Sequence, residues 1–205
     1  MFLIQTDGKD KYCYAVANTS LSKHTLKICD QCGRTIATPQ YTSDIPRLEL
    51  DGGKVFPDLL RYCGSGDRLF LISEQALDLF EKHKVSGYTS YQPVDIEPFF
   101  KRGKHLPSPT YYSLSISGRI DLDLSAMHLK RKRLCSLCGQ FDWNRMRIHP
   151  FILDQSSWSG TDICLLSSFP GFKICSERFV EIIRSYSLSG FDFEPLHSTG
   201  DGKTD

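Results

Sequence analysis

Nowhere in its 205 residues does this chain carry a run approaching the ~20 apolar residues that a membrane helix needs. Its opening, Met1-Phe2-Leu3-Ile4-Gln5-Thr6-Asp7, has no basic segment and only a short apolar run, so it does not read as a secretory signal. Charge of one sign is also lacking. The formal net charge is +1, which gives no global field to draw the chain to nucleic acid or to a membrane surface. The marks of common catalytic sites are missing too. There is no glycine loop for phosphate, no Gly-x-Ser-x-Gly elbow, no His-Glu-x-x-His and no carboxylate pair in a diagnostic setting. These absences lead to the expectation of a cytoplasmic protein with no membrane partner, no catalytic residues and no organic cofactor.

What the chain does have is an ordinary globular composition, 40% hydrophobic and 24% charged, with eight cysteines. In a reducing compartment eight cysteines are better explained by metal and free thiols than by disulfides. Four of them fall in two copies of one motif. Cys29-Asp30-Gln31-Cys32-Gly33 and Cys135-Ser136-Leu137-Cys138-Gly139 are both Cys-x-x-Cys-Gly, 135 − 29 = 106 residues apart. Such a turn sets two thiolates close enough to grip one tetrahedral metal, and the glycine lets the backbone bend around the sulfurs. Two turns make a complete four-sulfur site. Cys29, Cys32, Cys135 and Cys138 are therefore the expected ligands of a structural Zn2+.

The surrounding pattern repeats. Strand-like stretches at Phe2–Gln5, Tyr12–Ala17 and Thr25–Ile28 lead into the first cysteine turn, and Leu48–Leu50 and Leu69–Ile72 follow it. Ser73-Glu74 then reads as a helix N-cap with an acidic first turn, Ala76, Leu77 and Phe80 form the apolar face, and Ser86-Gly87 reads as the stop. Tyr88–Ile96 is extended, with Pro93 pointing to a sheet edge. Residues 101–109 form a polar, proline-bearing connector, and the order then recurs. Tyr111–Ile116 and Arg119–Leu124 read as strands, and Lys130–Leu134 leads into the second cysteine turn. Gly171–Ile174, the Ser176-Glu177 cap, the apolar face of Phe179, Val180, Ile183 and Tyr186, the Ser189-Gly190 stop and Phe191–Phe193 follow. Four landmarks recur in one order at offsets of 102 to 106. The fold expected is α+β: an internally duplicated pair of strand-rich αβ units, residues 1–100 and 110–205 about the 101–109 connector. They share a four-cysteine site of the zinc-ribbon kind.

One Cys-x-x-Cys offers two ligands where zinc takes four, so each half would contribute one turn and the metal would staple the halves together. Two other readings of the pairs stay open. They are vestigial and metal-free, or they are redox pairs, although a redox pair belongs at a strand-to-helix junction and neither copy precedes a helical pattern. Cys13, Cys63, Cys164 and Cys175 are isolated. Cys13 and Cys175 sit in apolar strand patterns and read as buried hydrophobes, and Cys63 and Cys164 read as core contacts before the two helices. Nothing around Cys63 supports a catalytic pair. His24, His83, His105, His128, His149 and His197 show no ligand-like spacing, and Trp143 and Trp158 read as core residues or neighbours of the metal turns. The sharpest charge feature is the run Lys130-Arg131-Lys132-Arg133, with Arg145, Arg147 and His149 beyond the second turn. Zinc ribbons flanked by such patches contact nucleic acid, which makes a zinc-ribbon nucleic-acid-binding protein the alternative function. A solvated basic loop is the plainer reading, and nucleic acid is not the expected partner.

Together, the doubled Cys-x-x-Cys-Gly, Phe56-Pro57-Asp58-Leu59, Leu71-Ile72-Ser73-Glu74, Ser86-Gly87 and Ser176-Glu177…Ser189-Gly190-Phe191 resemble the double-CXXCG motif proteins of the myxobacterial type. These are assigned as immunity proteins of contact-dependent toxin systems. The resemblance covers roughly residues 10–197, and the doubled cysteine motif is its specific part. It implies an antitoxin that binds and blocks a cognate toxin domain and needs no catalytic residues of its own. Immunity proteins against nucleases are often strongly acidic. A net charge of +1 departs from that pattern and leaves the toxin's chemistry open, and the docking surface is not carried over by motif because such surfaces vary with the toxin; the oligomeric state is open too.

Overall fold

A computed structural model describes residues 1–9, 11–17, 24–31, 33, 35–39, 48–63, 69–97, 99–101, 104–106, 109–127, 135, 151–167 and 169–198. The first half runs β1 (Phe2–Thr6), β2 (Cys13–Ala17), β3 (His24–Ile28), β4 (Thr35–Pro39), β5 (Leu48–Gly52), β6 (Leu59–Tyr62), β7 (Leu71–Ser73), α1 (Glu74–Lys82) and β8 (Tyr88–Pro93). A small hairpin, β9 (Phe99–Lys101) with β10 (Lys104–Leu106), begins just before the expected 101–109 connector and runs into it. The second half runs β11 (Tyr111–Ile116), β12 (Arg119–Leu122), β13 (Ile152–Asp154), β14 (Ile163–Leu166), β15 (Phe169–Cys175), α2 (Glu177–Ser185), β16 (Phe191–Pro195) and β17 (His197–Ser198). The strand-rich α+β class is observed, with two α-helices and two large sheets among the described residues.

The helices form where their ends are satisfied. Ser73 Oγ accepts from the Ala76 amide and Ser176 Oγ from the Phe179 amide, both at 3.1 Å, and both cap residues are extended. Each cap stabilises its helix by about 1 kcal/mol. Glu74 and Glu177 in the first turns, and Lys82 and Arg184 in the last, complement the helix dipole. At the other end the expected Ser-Gly stop is not what ends either helix. Lys84 and Ser187 turn into the left-handed region at φ 51° and 53°. The amides that follow reach back, Val85 to the Phe80 carbonyl and Leu188 to Ile183. This is a Schellman closure with its apolar contact between the residue past the turn and the last helical turn. Ser86-Gly87 and Ser189-Gly190 are thereby free for another task.

The two sheets have the same order. One reads β8-β11-β7-β6-β2-β5, the other β16-β1-β15-β14-β12-β13, extended by β17. Strand for strand these correspond, including the parallel pairing of β2 with β6 and of β12 with β14. β8 is a sheet edge, as Pro93 suggested. The correspondence exposes an exchange. β11, from the second half, lies between β7 and β8 of the first, while β1, from the first half, lies between β15 and β16 of the second. Tyr112 pairs with Ile72 and Pro93, and Phe2 occupies the equivalent place opposite Cys175 and Pro195. Each half lends its opening strand to the other's sheet, so each sheet is built from both halves.

Three clusters of buried residues follow from this layout. One lies inside each sheet. The largest is shared and gathers Phe80 and Leu77 of α1, Phe179, Val180 and Ile183 of α2, and Ile4, Leu114 and Ile163 from the sheets. Phe80 and Phe179 meet edge to face at 5.2 Å, a geometry aromatic pairs favour.

Candidate metal centre

β3 and β4 pair antiparallel from His24 opposite Pro39 to Ile28 opposite Thr35, which makes the first Cys-x-x-Cys-Gly the turn of a hairpin. The turn closes by a hydrogen bond from the Gly33 amide to the Cys29 carbonyl at 2.8 Å, with Gly33 at φ +67°. A side chain there would be strained, which accounts for glycine after the second cysteine. Ile28, Asp30 and Gln31 face solvent, yet Cys29 is only 2% exposed. Its sulfur meets one from the other half. Cys135 Sγ lies 3.7 Å from Cys29 Sγ, across 106 residues of sequence, and 3.5 Å from Gln31 Oε1. The two motifs meet, one cysteine from each.

The spacing of the two sulfurs carries chemical information. A disulfide holds its sulfurs near 2.05 Å. Two thiolates about 2.3 Å from one tetrahedral zinc stand about 3.8 Å apart. The observed 3.7 Å excludes a disulfide; it is the contact distance of two thiols, either of which can donate to the other, and also the spacing that two zinc-bound thiolates would have. Cys32 and Cys138, the partners within each motif, lie outside the described residues. Among the described residues no three His, Cys, Asp or Glu side chains gather into a metal-binding group.

Elsewhere the two halves are joined by a pair of reciprocal locks. Asp58, just before β6, accepts from the Ser73 cap hydroxyl at 2.7 Å in its own half. It also accepts from the amide and hydroxyl of Ser189 in the other half, at 2.7 and 2.8 Å. Asp162, just before β14, repeats the arrangement at an offset of 162 − 58 = 104 residues. It accepts from the Ser176 cap hydroxyl at 3.0 Å and from the Ser86 amide and hydroxyl at 2.9 and 3.0 Å. The serine hydroxyls in turn accept the Asp58 and Asp162 amides, at 3.1 and 3.0 Å. Leu59 and Ile163 donate their amides to the Ser189 and Ser86 carbonyls, both at 3.0 Å. Gly87 and Gly190 have positive φ and pack directly on the opposite backbone. This is the task of the Ser-Gly pairs: they dock one half on the other. Asp162 carries one addition, Arg178, whose guanidinium pairs with its carboxylate at 2.5 Å and reaches the His83 carbonyl. Burial works to raise the Asp162 pKa. The Ser86 amide, Arg178 and the two serine hydroxyls outweigh it and hold the carboxyl below its ordinary 3.8. Sequence reading passed over both aspartates as lock residues. The available signal was an Asp directly before an apolar strand, recurring at the repeat offset.

The remaining candidates sort as follows. Cys13, Cys164 and Cys175 are buried, and burial pushes the Cys164 thiol up to about 11 and Cys175 further still. Cys63 departs from expectation. It lies one residue past β6, with its amide still donated to the Ala15 carbonyl at 2.8 Å, but it is exposed and no core contact like Cys164, because strand alternation puts it on the side of exposed Arg61. Trp158 packs beside the core of the second sheet, with its indole N–H donated to the Thr161 carbonyl at 3.0 Å. His83 Nε2 lies 2.9 Å from the Tyr186 hydroxyl, its counterpart 103 residues on, where the two halves' helices end. Lys130–Arg133, Trp143, Arg145, Arg147, His128 and His149 lie outside the described residues, as do the side chains of His24, His105 and His197.

A family model described as immunity protein family (Imm11) matches residues 4–198, nearly the whole chain. The chain belongs to the Imm11 immunity protein family. No curated protein matches this Imm11 chain. The family match spans both halves, both locks and both cysteine turns, so the duplicated architecture lies within the Imm11 region and is not an appendage to it. Among the described residues no helix is long and apolar enough to cross a membrane.

Proposed function

We propose that this protein is an antitoxin that acts in the cytoplasm by binding a cognate toxin domain and blocking it, in the manner of the double-CXXCG motif immunity proteins it resembles. The observation that carries this reading is the match to an immunity family from residue 4 to residue 198. Blocking by binding needs a rigid surface and no catalytic residues. The fold supplies the rigidity: exchanged strands, two aspartate locks and one apolar core common to both halves. A preorganised surface loses little entropy when its partner docks.

The cysteine joint completes the scaffold in this proposal. Cys29, Cys32, Cys135 and Cys138 hold one structural Zn2+, two from each half. The closeness of the Cys29 and Cys135 sulfurs supports that assignment. Four thiolates leave no open coordination position, so the zinc would supply cross-linking and no water chemistry. Structural zinc contributes on the order of 10 kcal/mol or more of apparent binding energy in small domains.

The reading predicts that a neighbouring reading frame encodes the toxin, and the test is binding to that toxin's C-terminal domain, measured by calorimetry. A one-to-one complex that abolishes the toxin's activity is expected. A chain that forms no such complex would overturn the antitoxin reading.

A further inference from the structure

A net charge of +1 conceals an uneven distribution. On α1, Glu74, Asp78 and Glu81 are all exposed and fall at helical spacing on one side. Beside them lies a row of tyrosines from β11 and β8. Glu74 Oε1 is 3.5 Å from the Tyr112 hydroxyl, Tyr112 and Tyr91 meet edge to face at 5.6 Å, and the nearby Glu81 carboxylate raises the Tyr91 pKa. Tyr88, half-buried, continues the row towards Glu81. Tyr91 is 43% exposed, among the most exposed large side chains described. The adjoining basic residue Lys82 turns away, with its Nζ 5.5 Å over the Tyr186 ring.

The internal repeat supplies a control. The counterparts of Glu74, Asp78 and Glu81 on α2 are Glu177, Glu181 and Arg184, so the acidic row is broken by a cation. The strands differ as well. β8 and β16 are both sheet edges, but β16 carries Asp192 and Glu194, whereas β8, Tyr-Thr-Ser-Tyr-Gln-Pro, carries no charge. Charged residues on an edge strand discourage association, and β8 lacks them. Tyrosine is enriched at binding hot spots because it presents a large, stiff surface with a polar tip. Carboxylates around such an anchor choose a cationic partner and speed its approach.

We propose that the α1–β8–β11 face is the surface on which this protein docks a partner, and that the partner presents a basic, Lys/Arg-bearing protein surface. The inference rests on the antitoxin reading, in which the partner is the toxin domain. The α2–β16 face, built on the same frame, is not used.

The test uses the full chain against the toxin domain from the neighbouring reading frame, by surface kinetics at two salt concentrations. Three variants are compared with the wild type: D78K/E81K and Tyr91→Ala on the proposed face, and E181K/D192K on the twin face. All these positions are exposed, and far-UV circular dichroism and the thermal midpoint check folding. Wild-type association should slow as salt rises. D78K/E81K and Tyr91→Ala should each weaken binding about 30-fold or more, and E181K/D192K less than about threefold. Wild-type chain that binds the toxin while the first two variants bind as well overturns the surface alone. Equal losses from both faces overturn it too. Wild-type chain that does not bind at all overturns the antitoxin reading and the surface with it.

Discussion

Gly87 passes so close to Ile163 that a Cβ on the glycine would lie 1.9 Å from the Ile163 carbonyl oxygen. Gly190 stands in the same relation to Leu59, at 2.4 Å. Both glycines have positive φ, so a side chain adds backbone strain to the clash. Gly87→Ala and Gly190→Ala should each destabilise the chain by about 2–4 kcal/mol. Gly171→Ala, where a Cβ meets nothing within 4 Å, should change stability by less than about 0.5 kcal/mol. Urea unfolding of the three variants checks this.

The second lock predicts a pH dependence. Asp162 has its carboxyl held below 3.8 in the folded chain. A depressed carboxyl contributes stability that is fully present above its unfolded value and is lost as pH falls through the folded value. Asp162→Asn should therefore cost about 1–3 kcal/mol at neutral pH, because the Ser86 amide and Arg178 lose an ionised acceptor. The gap between wild type and variant should narrow below about pH 3.8. Denaturant midpoints measured from pH 7 to pH 2.5 will show whether the two curves converge.

Thiol reactivity should separate the isolated cysteines. Cys63 is exposed, while Cys13, Cys164 and Cys175 are buried and the last two have raised pKa values. The thiolate is the reacting form, so burial protects twice. Alkylation of the native protein at pH 8, followed by peptide mass spectrometry, should modify Cys63 well before these three. They should react only as the chain unfolds.

Metal content gives a further prediction. Purified protein should hold about one zinc per chain by elemental analysis. Cys32→Ser or Cys138→Ser should lose it and lower the thermal midpoint, and a strong chelator should do the same to the wild type. Metal-free protein of unchanged stability would remove the zinc from the account.

The helices were plain in the sequence because their signals are local. Ser73 and Ser176 cap, Glu74 and Glu177 follow, and Leu77, Phe80, Phe179 and Ile183 repeat at helical spacing. The encounter of Cys29 with Cys135 was also legible, since two incomplete ligand pairs imply each other. The exchange of β1 and β11 was not. Phe2–Gln5 and Tyr111–Ile116 read as strands wherever they pair, and the choice of sheet is made by distant partners. β6 and β14 do not show in the sequence because four residues are too few to display a period, Leu59–Tyr62 being broken by Arg61 and Ile163–Leu166 being apolar throughout. The Ser-Gly pairs were read as helix stops because that is their common local use. Their role at Asp58 and Asp162 exists only once the halves are assembled.

The most direct test of the whole account is protection of a living cell. The neighbouring frame's toxin domain is expressed from an inducible promoter in a bacterial host, with and without this chain from a second promoter. The account predicts arrest of growth by the toxin alone and growth at the uninduced rate when the chain is present. Equal arrest in both cultures, with the chain soluble and folded, would contradict it.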